Sequence, residues 1–382
     1  MKRRETTVLM AVVLAVALLA GCSNGKAKDT SAAPTVAETS KAAETDAPKT
    51  VEPESTAKTA EEKVDKSYKI GISFPTLQEE RWQNDYNYIQ EYAKSVGGVE
   101  LSMQVADNDS AKQYTQIESL ISQDIDALIV CAVDVATIGP VVQSAKDAGI
   151  YVLAYSRLTE NCDIDGIVLF DNEEVAKLNT EYIYSLVPEG NYVILNGDVA
   201  SVPDVDSYPK GWYSVLQPAI DSGKIKVVME QYCASWSAEA GMSNMENALA
   251  ANNNDIQAVI CANDGIASGV LQALDAVGMN DGSVKVSGND GDITACKNLI
   301  AGKQACFTAQ DTKKQVELAL KTAMELIDNN GKIISEVTGS FNNGKMDVPA
   351  ITCSAQLITS EEEIKTQLID TGMRDEKAIY GN

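Results

Sequence analysis

From Tyr68 onward, short runs of β-branched and aliphatic residues alternate with stretches in which apolar residues return every three or four positions. The first pattern belongs to buried strands, the second to amphipathic helices. Strands are expected over residues 68–74, 99–105, 127–133, 151–155, 192–196, 225–230, 256–262 and 284–287, with helices between them. After Arg81, for example, Trp82, Tyr86, Ile89, Ala93 and Val96 form one helical stripe. The rhythm predicts an α/β fold class, with doubly wound parallel sheets covered on both faces by helices.

The pattern also repeats. Asp124-Ile-Asp-Ala-Leu-Ile-Val-Cys-Ala-Val-Asp134 is echoed by Asp255-Ile-Gln-Ala-Val-Ile-Cys-Ala-Asn-Asp264, each followed by a helix ending at Gly149 or Gly278 and then by another strand. Two related lobes are expected. Ser156-Arg157 and Asn289-Asp290 then fall just past the carboxyl ends of corresponding strands, the edge at which open α/β sheets bind ligands.

Ahead of Tyr68 the pattern is different. Met1-Lys-Arg-Arg4 leads into an apolar stretch over residues 8–20 that closes on Leu19-Ala-Gly-Cys22. The stretch is too short to span a bilayer, which takes about 20 apolar residues, and has the basic start and small-residue end of a secretory signal. The cysteine at its end makes residues 1–22 a lipoprotein signal peptide, with Cys22 as the lipidated anchor, and places the rest of the chain outside the cytoplasm. Residues 23–67 have no aromatic side chain and few large aliphatics, so they read as a disordered tether.

About 315 residues remain, more than one core usually organises. The net charge of −24 and isoelectric point near 4.4 argue against nucleic acid and anionic membrane surfaces as partners. Of eight cysteines one is committed to lipid, which leaves an odd number, and Cys131 and Cys261 sit in apolar runs as small hydrophobes. The chain has no histidine and no Cys-x-x-Cys, so a zinc site is not expected and the commonest general base is missing. Asp290-Gly-Asp292 lacks the remaining ligands of a calcium loop.

The candidate chemistry gathers at strand ends: Arg81 and Trp82, Ser156 and Arg157, Asn263 and Asp264, Asn289 and Asp290, and Gln310, with Trp236 as a second aromatic wall. Fork donors, carboxylates, amides and flat rings are what a polyol needs, because each hydroxyl donates and accepts while the ring's C–H face lies on an indole. Arg81 is a cation in a first helical turn, which opposes the helix dipole and calls for a specific partner. Asp264 is expected to cap the helix that starts at Gly265 rather than to meet a ligand. No nucleophile elbow, phosphate loop or dinucleotide fingerprint is present, and the enzymatic alternative is a two-carboxylate glycosidase.

Several segments resemble the sugar-binding proteins of ABC importers with the type I periplasmic binding fold, within it the D-xylose binders. They are Glu80-Arg-Trp-Gln-Asn-Asp85, Thr115-Gln-Ile-Glu118, Leu153-Ala-Tyr-Ser-Arg157, Phe170-Asp-Asn-Glu173, Asp221-Ser-Gly-Lys-Ile-Lys-Val-Val228, Met245-Glu-Asn-Ala-Leu249, Ser287-Gly-Asn-Asp-Gly-Asp292 and Phe341-Asn-Asn-Gly-Lys-Met-Asp-Val-Pro349. The resemblance runs from Tyr68 to about Thr359 and puts Arg81, Arg157, Trp236, Asn263 and Asp290 on sugar-contacting positions, with Trp82 beside them. Three departures bear on substrate. Ser156 stands where xylose binders carry Asp, Gln310 where they carry Lys, and residues 199–206 replace an Asp-Asn-Asn segment, with Asp204 as the one substitute. These changes point away from D-xylose itself to a related monosaccharide, because a site loses affinity steeply for hydroxyls whose partners are gone.

The resemblance implies a lobe of residues 68–170 and 311–338, a second of 171–310 and 339–382, and crossovers near Phe170, Gln310 and Gly339. It also implies a clamped monosaccharide, no cofactor, no catalysis, a monomer, and delivery to an ABC permease. Presentation of the sugar to a membrane sensor kinase is the alternative on the same fold.

Overall fold

The β-branched runs pair edge to edge in two sheets. The computed structural model describes residues 66–200 and 207–381. Cys22, the signal, most of the tether and Asp204 lie outside the described residues.

The first sheet is built from β1 (Tyr68–Phe74), β2 (Val99–Val105), β3 (Ala127–Val130), β4 (Tyr151–Tyr155) and β5 (Gly166–Phe170). The second takes β6 (Gly190–Asn196), β7 (Ile225–Tyr232), β8 (Ala258–Cys261), β9 (Lys285–Asp290) and β10 (Cys306–Gln310). Late in the chain come β11 (Gly339–Asn342), β12 (Asp347–Cys353) and β13 (Ala355–Ile358). The strand orders are β11-β12-β5-β4-β3-β1-β2 and β13-β10-β9-β8-β6-β7. Pairing is parallel except where β11 meets β12 and β13 meets β10. The helices that cover the sheets are α1 (Glu80–Val96), α2 (Ser110–Ile121), α3 (Gly139–Asp147), α4 (Asn172–Leu186), α5 (Ser207–Asp221), α6 (Ala238–Ala251), α7 (Asp264–Ala276), α8 (Ile293–Ile300) and α9 (Thr312–Asp328).

Each sheet buries both faces, which is why its strands read as continuous apolar runs. In the first lobe Ile70, Ile72 and Phe74 face α1 and α9, while Leu128, Val130 and Val152 face α2 and α3. The second lobe does the same with Val193 and Val259 on one side, and with Tyr192, Ile194 and the wholly buried Trp212 on the other. Each Leu or Ile buried in this way stabilises the fold by roughly 1.5–3 kcal/mol.

The third crossover differs from the sequence expectation. The chain passes between sheets after Phe170 and after Gln310, but the last passage lies at Ser354 rather than near Gly339. Residues 339–353 therefore belong with the first sheet. The cause is local: β12 runs parallel to β5, from Ala350 opposite Ile167 to Cys353 opposite Phe170, and buries Val348 and Ala350 in the first core. Asn343 secures the turn before it by donating to the carbonyls of Thr159 and Cys162. Ile364, Leu368, Met373 and Ile379 then pack with α8 and Phe307 in the second lobe. The seven cysteines among the described residues are buried and unpaired.

Candidate binding cleft

Parallel strands deliver their carboxyl ends, and the helix starts that follow, to the same edge of each sheet. Where the two edges face each other lies a narrow polar cleft, at the edge where open α/β sheets bind ligands. Eight of the residues singled out in the sequence line it: Arg81, Trp82, Ser156, Arg157, Trp236, Asn263, Asn289 and Asp290. So do Glu79, Asn172 and Tyr208.

Arg81 links the lobes. Its Nη2 donates to Ser156 Oγ and Gln315 Oε1, both at 2.8 Å, in the first lobe. Its Nη1 donates to Gln310 Oε1 and lies 3.7 Å from Asp290 Oδ1, both in the second. The guanidinium sits 4.7 Å from the centre of the Trp82 ring. These partners answer the question raised by a cation in a first helical turn. Burial works against its charge, but Asp85 and Asp290 outweigh burial and hold it above its ordinary value. Gln310 accordingly does not line the cavity. It acts through Arg81, and so does Gln315, which the sequence did not single out.

Arg157 is 7% exposed, donates to the Ala132 carbonyl at 2.8 Å and lies 5.3 Å from the Trp82 ring. Trp82 thus orients both arginines by cation–π contact. Trp236 stands on the opposite side of the cleft, tilted against Tyr208 with ring centres 6.2 Å apart. Its seat depends on Gly197 at the end of β6, where a Cβ would meet the indole at 2.2 Å.

Strain collects here. Ser156 has φ 61°, Ser235 55°, Trp236 56° and Asp290 105°. Non-glycine residues rarely adopt these angles, which cost roughly 1–3 kcal/mol each and persist where surrounding contacts over-determine them. At Asp290 those contacts are visible: Arg374 donates from Nε to the Gly291 carbonyl at 2.6 Å and from Nη2 to the Asp290 carbonyl at 2.8 Å. Asp264 adds more, accepting from the amides of Gly291 and Asp292 at 2.8 and 3.0 Å and from Gln304 Nε2 at 3.1 Å. The cap of α7 is therefore Asn263, whose Oδ1 accepts from the Ile266 amide at 2.8 Å, and not Asp264 as expected.

The cleft is acidic as well as basic. Burial raises Asp290 well above the usual carboxylate range, with Arg81 opposing the shift and Asp264 adding to it. Burial also raises Glu79, against the pull of Arg157 and Arg81. Asp264 rises through burial and then its neighbour Asp292. Two guanidiniums facing two carboxylates, with amides, a phenol and indole rings between them, can pair many hydroxyls on a small molecule that carries no net charge.

Two twisted parallel sheets joined by three crossings, with polar groups converging between their carboxyl edges, define the class as a bilobal α/β binding protein. The profile of the periplasmic binding protein domain matches residues 70–332. The D-xylose-binding periplasmic protein of Haemophilus influenzae is 38% identical over 315 residues, covering 82% of this chain and 93% of that protein. The Escherichia coli D-xylose-binding periplasmic protein is 36% identical, over 81% and 91% of the two chains. Among solved structures, an ABC transporter solute-binding protein of Clostridium phytofermentans with bound β-D-glucose is 30% identical with a TM-score of 0.74, covering 81% of this chain and 99% of that one. The chain belongs to the periplasmic binding protein family.

Proposed function

We propose that this protein captures one neutral monosaccharide between its lobes and hands it unchanged to an ABC importer. The observation that carries the reading is the balanced cleft: Arg81 and Arg157 against Glu79 and Asp290, with Asn172, Asn263 and Asn289 between them and Trp236 as a wall. A phosphorylated sugar would bring its charge against Glu79 and Asp290. The names of the D-xylose-binding relatives and the glucose-bound solved structure favour a pentose or hexose. Ser156 Oγ and Gln310 Oε1 both accept from Arg81 and neither side chain carries a charge, which favours a relative of D-xylose with different hydroxyl demands.

In this reading the sugar stabilises the closed form, because Arg157 of one lobe and Asn263 and Asp290 of the other reach the same molecule only there. Cys22 carries the lipid and residues 23–67 tether the body near the permease outside the cytoplasm. A thermal-shift screen over pentoses, hexoses, cyclitols and sugar phosphates tests the reading, since a ligand at one hundred times its dissociation constant adds about 2.7 kcal/mol to stability. Neutral sugars are expected to raise the melting temperature. A response to phosphates alone, or to none of the compounds, would overturn it.

A further inference from the structure

Glu80 stands apart from its neighbours. Glu79, Arg81 and Trp82 line the cavity, whereas the Glu80 carboxylate crosses to the second lobe and accepts from the Ile293 amide, at 3.1 Å through Oε1 and 3.2 Å through Oε2. Ile293 is the first residue of α8. The residue placed to cap that helix, Asp292, makes no side-chain cap, and its buried Oδ1 has no hydrogen-bond partner. The helix start therefore takes its cap from the other lobe. Helix amides left without an acceptor are costly, and a carboxylate is a strongly preferred partner for them.

The receiving side is built in advance. Asp264 and Arg374 fix the Gly291-Asp292 turn from within the second lobe, so the Ile293 amide is held ready for Glu80 by contacts that opening does not break. When the lobes part, the Ile293 amide loses Glu80 while these contacts stay in place.

We propose that Glu80 is a closing latch, a positioning residue that caps α8 when the lobes shut and thereby sets the affinity and residence time of the sugar without touching it. The proposal rests on the sugar-clamp reading above. Apparent affinity scales with the fraction of protein in the competent closed form, so losing the cap weakens every sugar by the same factor. The sugar enters the open form, which places the change in the dissociation rate.

The test uses Glu80→Ala and the isosteric Glu80→Gln, with D-xylose and D-glucose as probes. Glu80→Ala is expected to weaken both sugars about ten-fold, mainly through faster dissociation, with their affinity ratio and the sugar-free melting temperature unchanged. Glu80→Gln keeps one acceptor and falls between. Wild-type affinity and dissociation rate in Glu80→Ala would overturn the latch. A changed ratio between the sugars would overturn it too, by making Glu80 a ligand contact. Should wild type bind neither probe, the functional reading is decided separately, by the thermal-shift screen over the wider set of sugars. The latch is then judged by spin labels at Asn87→Cys on α1 and Lys297→Cys on α8 in sugar-free protein. A short-distance population present with Glu80 and lost in Glu80→Ala supports it, and identical distance distributions overturn it.

Discussion

Arg157 shows how a single side chain decides affinity. It is nearly buried, one of its donors is spent on the Ala132 carbonyl, and the rest of its fork borders the cavity. Replacing it with alanine leaves the bound hydroxyl's acceptor unpaired in a dry site, so Arg157→Ala is expected to weaken sugar binding by about 2 kcal/mol or more in calorimetry. Unchanged affinity would remove Arg157 from the site. Gly197→Ala makes a different demand, because its Cβ has to displace the Trp236 indole. Tryptophan fluorescence should shift and binding weaken, while an unaltered spectrum would show that the ring does not need that seat. The residues legible in the sequence were those whose chemistry was odd for their place, such as a guanidinium in a first helical turn. Glu79 and Asn172 were not legible, because an acid or amide at a helix start reads as solvated polarity. Tyr208 was not legible either, being a ring that packs on Trp212 and also faces the cavity.

At the scale of elements, the turn from β9 into α8 carries the strain and the acids together. Asp264, Asp290 and Asp292 are all raised, burial being the first cause of each. A carboxyl whose folded value lies above its unfolded value near 4 contributes stability that is fully present below that unfolded value and is lost as pH rises through the folded one. These three groups are therefore expected to make the sugar-free protein melt at lower temperature as pH climbs from mildly acid to alkaline. Asp290→Asn should flatten part of that slope in a melting series, and a slope equal to wild type would contradict the assignment. Arg374→Met removes the brace on the Asp290 and Gly291 carbonyls. It is expected to weaken sugar binding more than it lowers the melting temperature, and the reverse order would make Arg374 a general core residue. The βα rhythm exposed most strands. It did not expose β5, a five-residue apolar run with no alternation to mark it, nor the placement of β11 and β12. Which sheet a late strand joins is set by the distant pairing of Ala350 with Ile167, and no local pattern contains that information.

For the whole molecule, the internal echo between residues 124–134 and 255–264 was legible as two lobes because each copy is a strand feeding a helix at the same sheet edge. What the sequence could not convey is the degree to which the lobes share one network. Arg81 joins Ser156 and Gln315 to Gln310 and Asp290, and Glu80 joins Ile293, so opening the cleft breaks several charge-assisted bonds at once. A sugar that supplies replacement partners across the gap shifts that balance toward closure. The most direct test is small-angle X-ray scattering of the purified protein with and without a saturating sugar identified in the thermal screen. The radius of gyration is expected to fall on addition of the sugar as two hinged lobes close. A radius that stays the same, while calorimetry confirms that the sugar is bound, would contradict a clamp between moving lobes.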